Sequence, residues 1–527
     1  MKTNTEIQLY PFLRIAGILV IGILVGKLSD GKISADFWLA LTLTFLLLSL
    51  GLSYRPFHVR KQYHSSPVYP AVFQTCCIFA TVFALGAWNC VMTLQTHQLA
   101  RVGERVHCHA VLLTPPVQHG KVVRGDLILT DGPFRGKKVR ASFLNTPSTQ
   151  KEGADASLLQ VGEGLETVLY MDDTTKGRQK GNFDYPLWLK THGFIGTVFL
   201  MPSDWKSTTV SLSGLSVYQR TVLAALQLRQ KLIKKGIRLE QDGQDEAVIE
   251  AMALGDESGI SKSTTEAYSI SGASHILSLS GLHLGIIYGI LAFFLGGKNR
   301  WWNQVLILLA IWSFVVLVGS GPSVVRSAMM ISIYALVSLL NRDKFSLNSW
   351  ALALFVMLMT NPLFLFDIGF EMSFLAVWGI LLGIRLFPLP PETRTKRALV
   401  RKAAVWGWGF LITSLSAQLW TFPLVIYYFG RFSCYFLLTN LVVIPVSTAL
   451  LYLVAGGFAL SLWDWAADCL FRMADLMAGL LNRTVSWVAS LPGASIEGLS
   501  IDNAQLVLIY IVIMGLFTLF FVTLRPQ

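Results

Sequence analysis

Stretches of about 20 apolar residues, enough for a helix to cross a bilayer, occupy positions 12 to 28, 36 to 54 and 70 to 93, stop, and resume only near 272. From there they recur at 272 to 296, 301 to 319, 322 to 340, 346 to 364, 368 to 387, 404 to 428, 432 to 461 and 504 to 524. About 10–11 hydrophobic segments of this length exclude an ordinary soluble protein. Of the 527 residues only 14% are charged and 53% are hydrophobic, where soluble chains carry about 25% charged residues. The expected fold is a polytopic α-helical membrane protein with one large polar insert.

The cations say which side is which, because Lys and Arg accumulate in cytoplasmic loops. Arg55, Arg60 and Lys61 follow the second segment, Lys298 and Arg300 a later one, and Arg394, Lys396, Arg397, Arg401 and Lys402 a third. Placing these loops inside puts the N-terminus in the cytoplasm and residues 94–271 on the outer face. The formal charge of +12 therefore does not by itself point to nucleic acid. Phe12 to Val25 ends without a small-residue cleavage site and reads as a retained anchor. Cys76, Cys77, Cys90, Cys108, Cys434 and Cys469 are scattered and form no disulfide framework or zinc ribbon. The segment 432–461 is too long for one simple span and contains Asn440 and Pro445, so a broken or re-entrant helix is expected there. Which side then holds Asp464, Asp468 and Asp475 stays open on hydropathy alone.

Four domains follow: three transmembrane helices in 1–93, a β domain in 94–215, an amphipathic basic segment in 216–271 and a second transmembrane region in 272–527. In the β domain, Val106-Cys108-Ala110-Leu112, Leu127-Leu129 and Val139-Ala141-Phe143 alternate between Gly, Pro and Asp turns. This predicts a small barrel of the oligonucleotide-binding (OB) type. From Tyr218 to Arg238, Leu223, Leu226, Leu232 and Ile233 oppose Arg220, Arg229, Lys231, Lys234, Lys235 and Arg238. That pattern predicts a basic helix lying on a membrane surface or facing polyphosphate, with Arg229, Lys231, Lys234, Lys235 and Arg238 forming an outer basic surface.

Polar groups inside apolar segments need a partner helix or a water-filled path. His275, Ser278, Ser280 and His283 stand in such a segment, and Ser274, Ser278, Gly281, Gly285 and Gly289 recur on one helical face as a close-packing seam. His275 and His283 are separated by roughly 12 Å along a helix, too far to share a metal ion. A buried structural histidine is as good a reading as a functional one. Pro322 opens a helix in whose first turns Arg326 sits, and Asp367 and Glu371 share a face four residues apart. An Arg326–Glu371 ion pair is favoured over direct substrate contact. His107 and His109 alternate on a strand without a third ligand, and no nucleophile, metal triad, His-x-His-x-Asp-His or ATP-binding loop accompanies the carboxylates. No metal, cofactor or catalytic residue is expected.

Several blocks in order resemble the ComEC family, the inner-membrane channel of natural competence. They are Lys180-Gly181-Asn182-Phe183-Asp184-Tyr185 with Leu189 and His192-Gly193-Phe194; Ala253-Leu254-Gly255-Asp256; and Ser271-Gly272 with His275 through His283. Downstream come Pro322-Ser323-Val324-Val325-Arg326-Ser327, Asp367 through Ala376, Gln418 through Pro423, and Phe429-Gly430-Arg431 with Asn440 and Pro445. The resemblance implies that one DNA strand passes inward through the membrane bundle beneath an outer barrel. It implies a path lined or gated by His275, Ser278, Ser280, Gly281, His283, Arg326, Gln418, Arg431, Asn440 and Pro445. Implied partners are single-stranded DNA, inner-membrane lipid, a separate DNA receptor, a cytoplasmic motor or strand-capturing protein, and a second copy in a homodimer. Many family members end in a metallo-β-lactamase-like domain; the sequence stops just after Leu524, so a separate nuclease is expected. The family commonly has glutamine where this chain has Glu371. The rival readings are a transporter or flippase for another anionic polymer or lipid, and a membrane hydrolase using His283 with Asp256 or Glu371.

Overall fold

The computed structural model describes residues 10–29, 32–53, 68–97, 99–100, 103, 105–145, 155–172, 183–236, 243–295, 301–339, 347–388 and 398–523. Arg55, Arg60, Lys61, Lys180, Gly181, Asn182, Arg238, Lys298, Arg300, Arg394, Lys396, Arg397 and Arg525, and the side chain of Lys235, lie outside the described residues.

Helices α1 (Pro11–Leu28), α2 (Ala35–Ser53) and α3 (Val68–Thr96) come first. Strands β1 (Arg105–Leu112), β2 (Val117–His119), β3 (Val122–Leu129), β4 (Lys138–Leu144) and β5 (Gly164–Tyr170) follow, then α4 (Tyr185–Thr191), β6 (Phe194–Leu200) and β7 (Trp205–Thr208). Next are α5 (Val217–Gly236), α6 (Gly243–Leu254), α7 (Lys262–Ser271), α8 (Ser274–Leu277), α9 (Gly281–Phe294), α10 (Trp301–Leu317), α11 (Pro322–Leu339), α12 (Leu347–Thr360), α13 (Ile368–Leu386) and α14 (Ala398–Phe429). The chain closes with β8 (Arg431–Ser433), α15 (Phe436–Ala459), α16 (Asp464–Ser490), β9 (Ser495–Glu497) and α17 (Asn503–Thr523). Among the described residues eight helices are long and apolar enough to cross a membrane, and α9, α10 and α12 are shorter apolar helices. Together they occupy the eleven windows read from the sequence, and the chain is a multi-span membrane protein.

Two compact units are formed, one from residues 1–99, 190–192 and 333–371, the other from 100–189, 193–332 and 372–527. In the first, α1 and α3 pack at backbone distance: a Cβ on Gly26 would stand 2.7 Å from the Ala87 carbonyl, and one on Gly86 2.7 Å from that of Leu19. Without a hydrophobic drive between helices in lipid, such close contact is what holds them. Asn89 ties α3 to the end of α12 by donating to the Met359 carbonyl at 3.0 Å. Asp367 caps α13 by accepting from the Phe370 N–H at 2.9 Å, and its other oxygen lies 3.6 Å from His192 Nε2.

In the second unit the strands follow the order β6-β4-β3-β1-β5-β7, with β2 on β3. Only β4–β6 is parallel among the named pairs, and past β5 Met171 bridges back to Val198 of β6. The residues read as inward-facing are those that fill the core: Val106, Cys108, Ala110, Leu112, Leu127, Leu129, Val139, Ala141 and Phe143. Burial pushes the Cys108 thiol up to about 12, with Asp131 adding to it, so this cysteine is a packing group. Helix α5 packs on the β domain. Its Leu223 and Leu226 pack on the outside of the sheet against Val111, Leu113 and Ile128, and Gln219 donates to the Gly136 carbonyl at 2.8 Å.

Two expectations about helix breaks are corrected. Asn440 and Pro445 sit inside one continuous helix, α15. Bilayer helices tolerate proline where nearby Ser or Thr hydroxyls engage backbone groups, and Ser447 and Thr448 both donate to the Ile444 carbonyl beside it. The break lies instead at Ser278-Leu279-Ser280, between α8 and α9, where Ser278 and Ser280 are extended. The small-residue seam read across positions 274 to 289 as one helical face is therefore not one face. Gly281 faces Ser327 of α11, with a Cβ position 3.3 Å from its Oγ, while Gly285 and Gly289 have nothing within 4 Å. Helix α16, which hydropathy passed over, packs Ala467, Phe471, Ala474, Ala478 and Leu481 against α15.

Candidate functional site

Strand alternation that sends apolar residues into the sheet sends the intervening ones out. On β3 and β4 the outward residues are Arg124, Asp126, Lys138, Arg140 and Ser142, and they form one wall of a cavity of about 1210 Å³. Arg140 Nε donates to Asp126 Oδ1 at 3.0 Å. Its guanidinium lies 4.7 Å over the Trp188 ring and 5.0 Å over Phe194. Trp188 stacks on Tyr185 at 5.9 Å and 7°, and on Phe194 at 5.9 Å and 15°. The short helix that presents Tyr185 and Trp188 is started by Asp184, which accepts from the Leu187 N–H at 3.0 Å. The wall thus ends in an aromatic stack with a cation over it.

The opposite wall comes from the segments nearer the membrane helices: Gly255 and Asp256, Ser274 and Ser278 around α8, Val318 to Gly321 before α11, and Arg431 on β8. Arg431 lies 2.8 Å from Glu497 and 3.9 Å from Glu266, and donates to Ser269 Oγ at 3.2 Å. Among the described residues six cations line the cavity (Arg124, Lys138, Arg140, Arg229, Lys262, Arg431) against four carboxylates (Asp126, Asp256, Glu257, Glu266), an excess of two positive charges. A basic groove with stacking rings suits a single nucleic-acid strand held without base readout.

Arg229 is corrected from an outer surface cation to a buried one. Its side chain is 6% exposed and lies 3.5 Å from Asp256 Oδ2, with the carbonyls of Leu254, Gly255 and Val318 at 3.5, 3.4 and 3.4 Å. Burial lowers its pKa from the usual value, with Asp256 and Glu250 pulling it back. The helix turns this position toward the loops before α7 and α11, while Lys231 and Lys234 are exposed. Glu250, on α6, is pushed up to about 7 by burial first and by Asp256 and Glu246 next, with Arg229 opposing.

Of the ten residues expected to line or gate a path, Ser278 and Arg431 border this cavity. His275 is exposed, in α8. His283 is 1% exposed and ties down the break: its Nδ1 accepts from the Ser280 N–H at 3.1 Å and lies 3.0 Å from Ser280 Oγ. An imidazole accepting at Nδ1 carries its proton on Nε2, and that atom is buried without a hydrogen-bond partner among the described residues. Arg326 is buried in the first turns of α11. Gln418 and Asn440 are half-buried in α14 and α15, and Pro445 is exposed. Arg326 and Glu371 belong to different compact units.

His109 Nδ1 lies 2.6 Å from Asp131 Oδ2 on the β-domain surface, and that hydrogen bond raises the histidine's pKa. Among the described residues no group of three His, Cys, Asp or Glu could hold a metal ion. The cavity wall of Arg124, Lys138, Arg140 and Tyr185 was missed. The signal was present, since these cations stand out of phase with the apolar alternation.

A family model described as Competence protein matches residues 252–524, more than half of the chain. The chain belongs to the competence protein family. It is 27% identical over 355 residues to ComE operon protein 3 of Bacillus subtilis (strain 168), covering 66% of this chain and 44% of that one. An uncharacterized protein of Aquifex aeolicus (strain VF5) is 32% identical over 146 residues, 28% of this chain and 34% of its own. The chain thus spans less than half the length of these curated relatives. No solved structure matches it.

Proposed function

We propose that this competence-family chain is the inner-membrane channel through which single-stranded DNA enters the cytoplasm during natural transformation. The observation that carries the reading is the cavity, where a basic, aromatic strand surface faces the helix break at Ser278–Ser280. The N-terminus is cytoplasmic and residues 94–271 lie on the outer face. The β domain is OB-like: its strand order, the parallel β4–β6 pair and the Met171–Val198 bridge support that description. The strand meets the wall of β3 and β4 first, then passes Ser278 and Arg431 toward Ser280, Gly281, His283 and Arg326. The unpartnered Nε2 of His283 supports a gating role, because a buried donor without an acceptor costs about 1–3 kcal/mol and gains one when a path beside it fills with water.

The wider division of the chain into segments 1–93, 94–215, 216–271 and 272–527, roles for His275, Gln418, Asn440 and Pro445, and an outer basic surface of Lys231 and Lys234 belong to the same reading. So do its partners: inner-membrane lipid, a DNA receptor, a cytoplasmic motor or strand-capturing protein, and a second copy of the chain. The test is internalisation of labelled DNA by a deletion strain of a competent host, restored with the wild-type gene or with Arg124→Gln/Arg140→Gln or His283→Ala. The double arginine variant and His283→Ala are expected to bind DNA at the cell surface yet internalise little. Normal internalisation by well-expressed variants overturns the path. An envelope defect without a DNA phenotype moves the assignment to another anionic polymer or lipid.

A further inference from the structure

Three of the four arginines lining the cavity are already engaged by a carboxylate. Arg140 meets Asp126 at 3.0 Å, Arg229 meets Asp256 at 3.5 Å, and Arg431 meets Glu497 at 2.8 Å. Two of these pairs are set by strand register. Asp126 and Arg140 are direct partners across β3 and β4, and Arg431 and Glu497 are direct partners across β8 and β9. Residues directly opposite in an antiparallel pair have side chains within reach of each other, so each carboxylate is held at its arginine by the backbone. Arg124, Lys138 and Lys262, by contrast, make no ion pair among the described residues.

A surface selected only for affinity to a polyanion would leave its cations unpaired, since each one that meets a phosphate then releases a counterion. A pore has the opposite need: a site must bind well enough to be entered and weakly enough to be left. We propose that Asp126, which lines this cavity, and Glu497, which pairs with the lining Arg431 from outside it, lower the affinity of the cavity. They compete with the phosphodiester backbone for Arg140 and Arg431, so that a strand advances by exchanging partners with resident carboxylates. Their side chains are 18% and 55% exposed, so both can turn toward solvent when a phosphate takes the guanidinium. This inference rests on the single-strand reading above and specifies how that site handles its ligand.

The experiment measures binding of a fluorescent oligothymidylate to the full chain in lipid nanodiscs across a salt series, for wild type, Asp126→Asn, Glu497→Gln, Arg140→Gln and Arg431→Gln. Each carboxylate variant is expected to bind about threefold tighter, the factor set by a partly exposed ion pair. Each is also expected to show a steeper dependence of log affinity on log salt, by up to about 0.7 per released arginine. The arginine variants are expected to bind more weakly with shallower slopes. A merely structural role for either carboxylate would not steepen the salt slope. If the arginine variants weaken binding but both carboxylate variants match or fall below wild type in affinity and slope, the proposal is overturned and the single-strand reading stands. If wild type shows no salt-dependent binding and the arginine variants are indistinguishable from it, the single-strand reading itself fails.

Discussion

Removing one side of the Arg229–Asp256 pair should unfasten α5 from the loops before α7 and α11. The two charges are 3.5 Å apart with side chains 6% and 7% exposed. At an effective dielectric near 20 their attraction is about 5 kcal/mol before the cost of desolvating both ions. Truncating one partner leaves the other buried and uncompensated, which costs about 3–5 kcal/mol. Asp256 also accepts from the Ser258 hydroxyl at 2.6 Å and its N–H at 3.2 Å, and these bonds survive in Arg229→Met. The lower end, about 3 kcal/mol, is therefore expected for that variant. Asp256→Leu should cost at least as much, because it strands the guanidinium among carbonyls 3.4–3.5 Å away. The double variant exchanges an ion pair for apolar surface and should recover most of either loss. Pulse proteolysis of the detergent-solubilised chain over a denaturant series measures each variant. Single losses below about 1 kcal/mol, or losses that simply add in the double variant, would falsify the account of this pair as a buried fastening.

Two further expectations use the same assay. Glu250 has a folded pKa of about 7 against an ordinary 4.5, so its contribution is fully present below about 4.5 and is lost as pH rises through 7. Wild type should lose stability between about pH 4.5 and 7, and Glu250→Gln should flatten that part of the profile; an unchanged profile rejects the assignment. In the α13–α14 contact, a Cβ on Gly379 would stand 2.7 Å from the Ser416 carbonyl, whereas Gly407 and Gly515 have nothing within 4 Å. Gly379→Ala should cost about 1–3 kcal/mol by overpacking while Gly407→Ala and Gly515→Ala cost nothing, and equal effects at all three positions would refute the close-approach reading.

The spans and the sheet core were legible because each is written in a period: long apolar runs for the bilayer, alternation of two for the sheet. Where the sequence misled, the deciding interaction was tertiary or between side chain and backbone. Pro445 advertises a break, yet α15 runs through it with hydroxyls of Ser447 and Thr448 at a neighbouring carbonyl. Ser278-Leu279-Ser280 contains neither proline nor glycine, and it breaks because His283 captures the Ser280 N–H. Arg229 belongs to a polar-looking stripe and is buried only because Asp256 arrives from another segment. Helix α16 escaped notice because its charges lower its hydropathy, although Ala467, Phe471, Ala474, Ala478 and Leu481 keep a helical period.

The parallel pairing of β4 with β6 has a consequence for how the chain is made. Lys138 pairs with Phe194 and Ala141 with Val198, so β4 must wait for more than fifty residues of chain before it has its second neighbour. Contacts this distant in sequence form late, since the loop must be closed before any pairing rewards it. During synthesis the sheet is therefore an incomplete one with an open edge, prone to pairing with other chains. Its closing strand emerges only shortly before α5, whose Leu223 and Leu226 cover the outside of the sheet. Until β6 is made, β4 keeps one unpaired edge, and in that interval pairing with another chain can compete with folding.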